Sequence, residues 1–207
     1  LEALLFGQAG LLDENFVNDY PKLLQREYKL LQHKYQLKKP ATRVVFLRMR
    51  PASFPTIRLA QLAMLIYNSV HLFSKIKEQN SVDDVKKMFS VTANDYWHYH
   101  YQLDEASNYK VKNLGDDMID SICINTIVPV LFAYGLLMNH QASKDKAILW
   151  LQHLSAENNS ITKTWKANKI ENATSFDSQA LIQLTNHYCK PKRCLQCAIG
   201  NQILKKT

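Results

Sequence analysis

The stretch ICINTIVPVLFAYGLLM, residues 122–138, contains no charged residue and follows three aspartates, Asp116, Asp117 and Asp120. Asn125, Thr126 and Pro129 interrupt the run, which is also short for a bilayer, so it predicts a buried core helix and not a membrane span. Around it, the pattern predicts helices at 116–138, 142–155 and 160–168, and upstream a nearly all-apolar core helix over 56–73. We expect 56–73 and 118–137 to be the two most buried helices.

The composition agrees with a helical fold. The chain has 207 residues, is 46% hydrophobic and has only five glycines and six prolines, fewer than the many tight turns of an all-β protein require. We expect a mainly α protein, one helical domain over residues 1–207 with a short extended segment near residues 43–50. The first residues lack an initiator Met and read as part of a helix, so we expect a C-terminal fragment of a longer protein. They also lack the basic start and cleavage site of a signal peptide, and residues 122–138 predict a core helix, so we expect a soluble, cytoplasmic protein with no membrane contact.

The formal net charge of +8 is compatible with an acidic partner such as nucleic acid. The basic residues are spread along the chain, and no helix-turn-helix, zinc finger or stacking sheet is recognisable. We therefore expect this chain alone to bind nucleic acid weakly, non-specifically and with strong dependence on salt. Glycine-rich phosphate loops, a serine elbow and paired His-Glu zinc motifs are absent from the sequence, which therefore holds no complete catalytic signature.

Three of the four cysteines, Cys189, Cys194 and Cys197, are close together near the C-terminus. Their C-x4-C-x2-C spacing includes half of a common zinc or iron–sulfur arrangement, and neighbouring basic residues favour the thiolate form. Three interpretations stay open: bound metal, with zinc as the cofactor and His187 as the nearest fourth ligand; inert packed thiols with no cofactor; or a disulfide. We expect the three sulfurs to converge, with Cys194 and Cys197 in the first turns of a terminal helix.

A second candidate site contains three arginines. In an extended segment Arg48 and Arg50 point to one face, and Arg58 lies in the first turn of the next helix. Three guanidiniums near a helix N-terminus suit a phosphate group. The alternative is an ion-pair hub in which buried arginines hold loops together. We expect all three to be at least partly buried and hydrogen-bonded to protein groups.

The run Tyr96–Tyr101 concentrates aromatic and imidazole side chains. In a strand, His98 and His100 would share a face and chelate a metal, and the rings would stack on bases. The alternative is an aromatic wedge that anchors a loop on the core. For Asp116, Asp117 and Asp120 the alternatives are a divalent cation and the favourable interaction of acidic residues with a helix N-terminus.

Several motifs together resemble the C-terminal half of a bacterial domain-of-unknown-function family. They are Leu4–Gly10, Leu47–Pro51, Phe54–Gln61, Ile124–Thr126, Phe132–Gly135, Asp177–Leu184 and Tyr188–Gly200. The resemblance covers nearly the whole chain and implies no activity. It does imply that longer members carry an N-terminal half similar to a restriction-endonuclease-type nuclease core.

The resemblance also separates the candidate residues. The three clustered cysteines and the three arginines fall inside these motifs. The resemblance also includes His100, whereas His98, Cys123 and His187 lie at positions not associated with the family. This counts against His187 as an obligatory fourth metal ligand.

Two functions stay open from the sequence. The first is a non-catalytic helical module that positions nucleic acid or a partner domain for the nuclease-like N-terminal half of the same chain. The second is an enzyme or phosphate-binding domain with its site around Arg48, Arg50, Arg58 and His100. The three arginines in a solvent-open pocket with no carboxylate partner would favour the enzyme or phosphate-binding domain, and buried ion pairs would favour the non-catalytic module. Arginines that are all fully exposed with no acceptor would indicate a polyanion site.

Overall fold

The computed structural model describes residues 1–38 and 44–205. Within these ranges strand is confined to one short antiparallel pair, so the expected mainly α class is confirmed. The strands are β1 (His100–Gln102) and β2 (Glu105–Ala106). The α-helices are α1 Glu2–Gln8, α2 Asp19–Tyr35, α3 Pro55–Asn68, α4 Leu72–Glu78, α5 Val82–Phe89, α6 Asp95–His98, α7 Asp116–Ile122, α8 Val128–Leu137, α9 Gln141–His153, α10 Ser160–Ala167, α11 Ser175–Leu184 and α12 Ala198–Leu204.

The chain forms two compact units. Unit 1 comprises Leu1–Glu78 and Val85–Ile119, and unit 2 comprises Gln79–Asp84 and Asp120–Thr207. A single domain over residues 1–207 stays a prediction.

Unit 1 is built on α1, α2 and α3. Apolar side chains of these helices and of α6 form its core, which includes Phe6, Leu24, Tyr28, Ile57 and Trp97. The buried positions of α2, Pro21, Leu24 and Tyr28, recur every three or four residues, as the amphipathic pattern requires. Pro21 is tolerated because it lies in the first turn, where a backbone N–H has no intrahelical acceptor.

Helix α3 corresponds to the expected core helix over 56–73, but it ends at Asn68. His71, at a φ of 58°, interrupts the predicted run before α4 begins at Leu72. One face of α3 is buried, and Leu62, Ile66 and Tyr67 on the other side are exposed. The expectation that this helix is among the most buried is therefore met on one face only.

Unit 2 contains α8 packed against α9, with α11 packed against both α9 and α10. Leu131, Ala147, Trp150 and Leu154 are buried there. Capping boxes start α10 at Asn159 and α11 at Thr174, so hydrogen bonds between neighbouring residues fix the N-terminus of each helix. The predicted helices 142–155 and 160–168 are confirmed to within two residues.

The apolar stretch 122–138 begins at the last residue of α7 and continues through a π-helical turn at Cys123–Ile127 into α8. Pro129 has no N–H for the carbonyl of Asn125, and its ring would clash with that carbonyl in a regular α-helix, so the wider turn accommodates the proline. The buried positions of this stretch include Cys123, Ile124, Ile127 and Leu131, whereas Val130, Leu136 and Leu137 are exposed. As with α3, one face is buried.

Among the described residues, one helical stretch, Asp116–Leu137, is long and apolar enough to cross a membrane by length and composition, and 39% of its most apolar window is buried. The core of a soluble protein meets the same criterion. Absence of membrane contact therefore stays a prediction.

Candidate functional site

The segment 44–50 carries two of the candidate arginines and forms neither helix nor strand. Phe46 anchors it to the start of α3 through an edge-to-face contact with Phe54, at 5.2 Å between ring centroids. Arg48 has a φ of 53°, in the left-handed region, so the alternation expected of an extended strand is broken there. Arg48 and Arg50 are both exposed. The expectation that they are at least partly buried was wrong, because the segment runs along the surface.

Arg58 differs from the other two arginines. It is half-buried on α3, and its Nη1 donates to Oε1 of Gln61 at 3.0 Å. Gln61 is itself buried and donates to the carbonyl of Lys112 at 3.2 Å. Burial lowers the pKa of Arg58. No carboxylate within residues 1–38 and 44–205 pairs with it, so the ion-pair hub considered from the sequence is not seen there.

His100 stands at the start of β1 within an aromatic stack. Its ring lies 3.9 Å from that of Tyr96 with an interplanar angle of 5°, and Tyr96 stacks in turn on Tyr20 at 4.3 Å. Nδ1 of His100 lies 2.8 Å from the Tyr96 carbonyl oxygen, which can only accept, so Nδ1 carries the hydrogen and Nε2 is left as an acceptor in the neutral ring. No hydrogen bond in the described part of the chain joins His100 to Arg48, Arg50 or Arg58.

The aromatic run 96–101 serves mainly as the wedge considered from the sequence. Trp97 is fully buried and stacks on Phe6 at 5.2 Å. His98 ends α6 and His100 begins β1, so the two imidazoles do not alternate along one strand as a chelating pair would. His98 approaches Asp95 at 3.8 Å. Asp116 and Asp117 lie exposed in the first turn of α7, where acidic residues favour the helix.

A carboxylate at the start of α1 collects three hydrogen bonds within unit 1. Glu2 accepts from the hydroxyl of Tyr20 and from Nδ2 of Asn94, each at 2.6 Å, and also from Nε1 of Trp97. Burial raises the pKa of Glu2 and outweighs these donors, which lower it. Burial and the neighbouring carboxylate also raise the pKa of Tyr20. This cluster joins α1, α2 and α6, and the sequence analysis did not predict it.

A cavity of about 330 Å³ lies in unit 1, and residues 44–46 form part of its wall. Its lining combines two aromatic rings with four polar side chains: Glu14, Phe16, Phe46, Thr56, Gln102 and Glu105. Thr56 is buried, and its hydroxyl donates to the Tyr101 carbonyl at 2.5 Å. Gln102 Nε2 donates to Glu105 Oε2 at 2.6 Å. No sequence pattern predicts this cavity, because its walls come from segments far apart in the chain.

The cysteines are spread over the last turns of unit 2. Cys189 ends the π-helical turn Thr185–Cys189, and Cys197 is the N-cap of α12. Cys194 lies in the turns before α12, not in its first turns as expected. Its carbonyl oxygen packs closely against Gly200, where an added Cβ would approach it to 2.6 Å. Cys189 and Cys194 are exposed, Cys197 is buried and all are free thiols.

No group of three or more His, Cys, Asp or Glu side chains within 1–38 and 44–205 is placed to hold a metal ion. The convergence expected of Cys189, Cys194 and Cys197 is thus not found among the described residues. Zinc at these cysteines stays a prediction.

Cys189 does line a second cavity, of about 370 Å³, together with Trp165 and Lys190. Trp165 is oriented by a hydrogen bond from Nε1 to Thr185 Oγ1 at 2.8 Å. Lys190 donates to Asn186 Oδ1 at 2.8 Å. The cavity is bounded by α10 and the π-helical turn, and the sequence analysis did not predict it.

The fold and these sites together define a mainly α protein with an exposed arginine segment beside a cavity lined by aromatic and polar side chains. Residues 1–160 match the family described as protein of unknown function (DUF2851), and the chain belongs to that family. No curated protein and no solved structure matches the chain. The resemblance to a domain-of-unknown-function family is thereby confirmed.

The match also limits what the resemblance covers. It includes Arg48, Arg50, Arg58 and His100 and ends before the motifs at 177–184 and 188–200, which contain the clustered cysteines. The expectation that the family pattern covers nearly the whole chain therefore holds for residues 1–160. A place for the cysteines in that pattern stays a prediction.

Proposed function

We propose that this chain is a non-catalytic helical module that binds nucleic acid by its phosphate backbone and positions the strand for another part of the protein. In this proposal that part is the nuclease-like N-terminal half implied by the resemblance, in a soluble cytoplasmic bacterial protein. The observation that carries the proposal is the exposure of Arg48 and Arg50 on a surface segment. Guanidinium groups bind phosphate through paired N–H donors.

The charges around this segment support the proposal. Within the described ranges no ion pair involves Arg48 or Arg50, so neither guanidinium is neutralised by a carboxylate there. The left-handed backbone at Arg48 is unfavourable for a residue with a side chain, and such conformations cluster at binding sites. The net charge of +8 adds a general attraction for polyanions.

A second candidate function is an enzyme or phosphate-binding domain that uses Arg48, Arg50, Arg58 and His100. The half-buried guanidinium of Arg58, without a described carboxylate partner, favours a bound anion, and Nε2 of His100 would serve as a general base. A phosphodiesterase activity of the longer protein that is lost in His100→Ala, with oligonucleotide binding unchanged, would establish this alternative.

The double variant Arg48→Ala/Arg50→Ala tests the proposal. Fluorescence anisotropy of a labelled single-stranded oligonucleotide measures binding to the chain between about 50 and 200 mM salt. We expect the affinity at low salt to fall about tenfold or more. The slope of log K against log salt should shrink by about 1.4, since each lost single-strand phosphate contact removes roughly 0.7.

A matched control separates the segment from net charge. Lys163→Ala/Lys166→Ala removes two exposed positive charges from α10 in unit 2. The proposal requires this control to weaken binding much less than the arginine variant does. Equal losses in the two variants would mean that the attraction is a property of the whole charge, and the proposal would fail.

A further inference from the structure

The cavity beside the arginine segment has a volume and a lining compatible with one unstacked nucleobase. Its volume of about 330 Å³ falls in the range of small-molecule sites, roughly 300–1,000 Å³. Phe16 and Phe46 contribute aromatic rings, which stack on bases irrespective of sequence. The same lining includes Glu14, Thr56, Gln102 and Glu105, whose polar groups can form hydrogen bonds with the edge of a base.

The polar groups of the cavity are mostly acceptors. Glu14 and Glu105 provide carboxylates. The Thr56 hydroxyl already donates its hydrogen to the Tyr101 carbonyl, so it can only accept from a ligand. The side-chain amide of Gln102 donates one N–H to Glu105. This hydrogen bond orients the amide and leaves Oε1 of Gln102 available as an acceptor. The complementary ligand edge therefore carries N–H donors, as the exocyclic amine of cytosine does, whereas uracil presents a carbonyl at the same position.

An amine or other cation would also suit carboxylates and aromatic rings. The positive charge of the arginine segment favours a base attached to a phosphate over a free cation. Arg48 follows the cavity residue Phe46 by two positions, so their Cα atoms lie within about 7 Å of each other. Arg48 and Arg50 do not line the cavity, but they follow Phe46 closely in the chain and attract the phosphate to which a base is attached.

We infer that the cavity formed by Phe16, Phe46, Gln102 and Glu105 binds a single amino-bearing base of a single-stranded nucleic acid, while Arg48 and Arg50 hold the adjoining phosphates. The inference rests on the proposed function and adds the class of strand and of base. Unpaired bases are the form in which a Watson–Crick edge is free to enter a protein pocket. Duplex DNA would reach the arginines but not the cavity.

The test compares oligo-deoxycytidine with oligo-deoxyuridine and with an abasic strand of the same number of phosphates. The wild-type chain should bind the cytosine strand about tenfold more tightly than the uracil strand, the discrimination typical of a good base-edge contact. Glu105→Gln keeps the shape of the side chain and replaces one acceptor by a donor, so it should abolish this ratio. The measured quantity is the ratio of the affinities for the cytosine and uracil strands. Removal of one negative charge raises both affinities equally and leaves this ratio unchanged.

Glu27→Gln is the matched control, because it makes the same change of charge at an exposed position on α2 outside the cavity. The control should keep the cytosine preference. Equal affinities for the three strands, with dependence on Arg48 and Arg50 retained, would overturn the base site and leave the proposed function standing. A cytosine preference unchanged in Glu105→Gln would also overturn it, and no binding to any strand would overturn both.

Discussion

At the scale of single residues, Glu2 shows how one carboxylate organises unit 1. It accepts hydrogen bonds from side chains on α2 and α6 and at the N-cap of α6, namely Tyr20, Trp97 and Asn94. Two of these partners also belong to aromatic contacts, since Tyr20 stacks on Tyr96 and Trp97 stacks on Phe6. Loss of the carboxylate therefore removes the Glu2 acceptor from three donors in a largely buried place, although Asn94 Nδ2 still donates to the Tyr20 hydroxyl at 2.6 Å.

We predict that Glu2→Ala lowers the free energy of unfolding by about 2–4 kcal/mol, because a buried donor left unpaired costs about 1–3 kcal/mol. Chemical denaturation measures the change. Glu27→Ala, at an exposed position of α2, is the control and should change stability by less than about 0.5 kcal/mol. Equal effects of the two substitutions would contradict the role given to the Glu2 cluster.

The pH dependence of that difference follows from the pKa of Glu2, which burial raises above the ordinary value of 4.5. A carboxyl with a raised folded pKa contributes its full stabilisation below pH 4.5 and loses it as the pH rises through the folded pKa. The wild-type advantage over Glu2→Ala should thus be larger at about pH 4 than at about pH 7. A difference that grows with pH would contradict the direction of the shift.

Thiol reactivity tests the placement of the cysteines. Cys189 and Cys194 are exposed, whereas Cys123 and Cys197 are buried. In the native chain two thiols should react quickly with a disulfide reagent and two only after denaturation. A chelator should leave the fast phase unchanged. Fast thiols that appear only after chelator treatment would instead show a bound metal and support the zinc prediction.

At the scale of elements, the approach of α1 to α2 depends on Gly7. A Cβ at this position would lie 2.1 Å from atoms of the Tyr28 ring. Tyr28 is itself buried in the core and its hydroxyl accepts a hydrogen bond from Gln8 at 2.9 Å, so the ring has little freedom to move. The glycine therefore sets the distance between the two helices.

We predict that Gly7→Ala destabilises the protein by about 1–3 kcal/mol through overpacking. Gly115→Ala is the matched control, since a Cβ there meets nothing within 4 Å. The control causes no overpacking and should cost less than about 1 kcal/mol, because Gly115 directly precedes α7, where alanine is a poorer cap than glycine. Thermal or denaturant unfolding of both variants gives the comparison, and a tolerated Gly7→Ala would show that α1 and α2 are not packed as described.

The helices were largely predictable from the sequence because their signals are local. The predicted helices 142–155 and 160–168 formed to within two residues, and the capping box at Asn159 that starts α10 acts within one turn. The break before α4 was missed because its cause, the left-handed backbone at His71, has no glycine or proline to mark it. Only one face of α3 is buried because the fold places packing partners on that side alone. Local sequence patterns carry no information on where those partners lie.

The sites were less predictable for the same reason. Exposure of Arg48 and Arg50 depends on how segment 44–50 crosses the surface, and the Glu2 cluster joins residues separated by as many as 95 positions. The cavity likewise combines Glu14, Phe46 and Glu105, which come from three separate segments. Spacing within one segment predicts which side chains share a helix face, and it carries no information on such long-range convergence.

At the scale of the whole molecule, two features contribute to the proposed binding of nucleic acid. One is the net charge of +8, and the other is one segment that exposes two arginines beside a cavity. General charge attracts a polyanion from any direction and weakens as salt increases. Only the arginine segment and the cavity would give the bound strand a fixed place. The central claim is thus one of location: nucleic acid lies on residues 44–50 of unit 1.

Photo-crosslinking tests this location most directly. A single-stranded oligonucleotide with photoreactive cytosines is irradiated on the chain, and mass spectrometry identifies the attached peptides. The account predicts adducts concentrated in the peptides containing Phe46, Arg48 and Glu105, and their loss in Arg48→Ala/Arg50→Ala. Adducts confined to residues 161–205, or spread evenly over the lysines of the chain and unchanged in that variant, would contradict it.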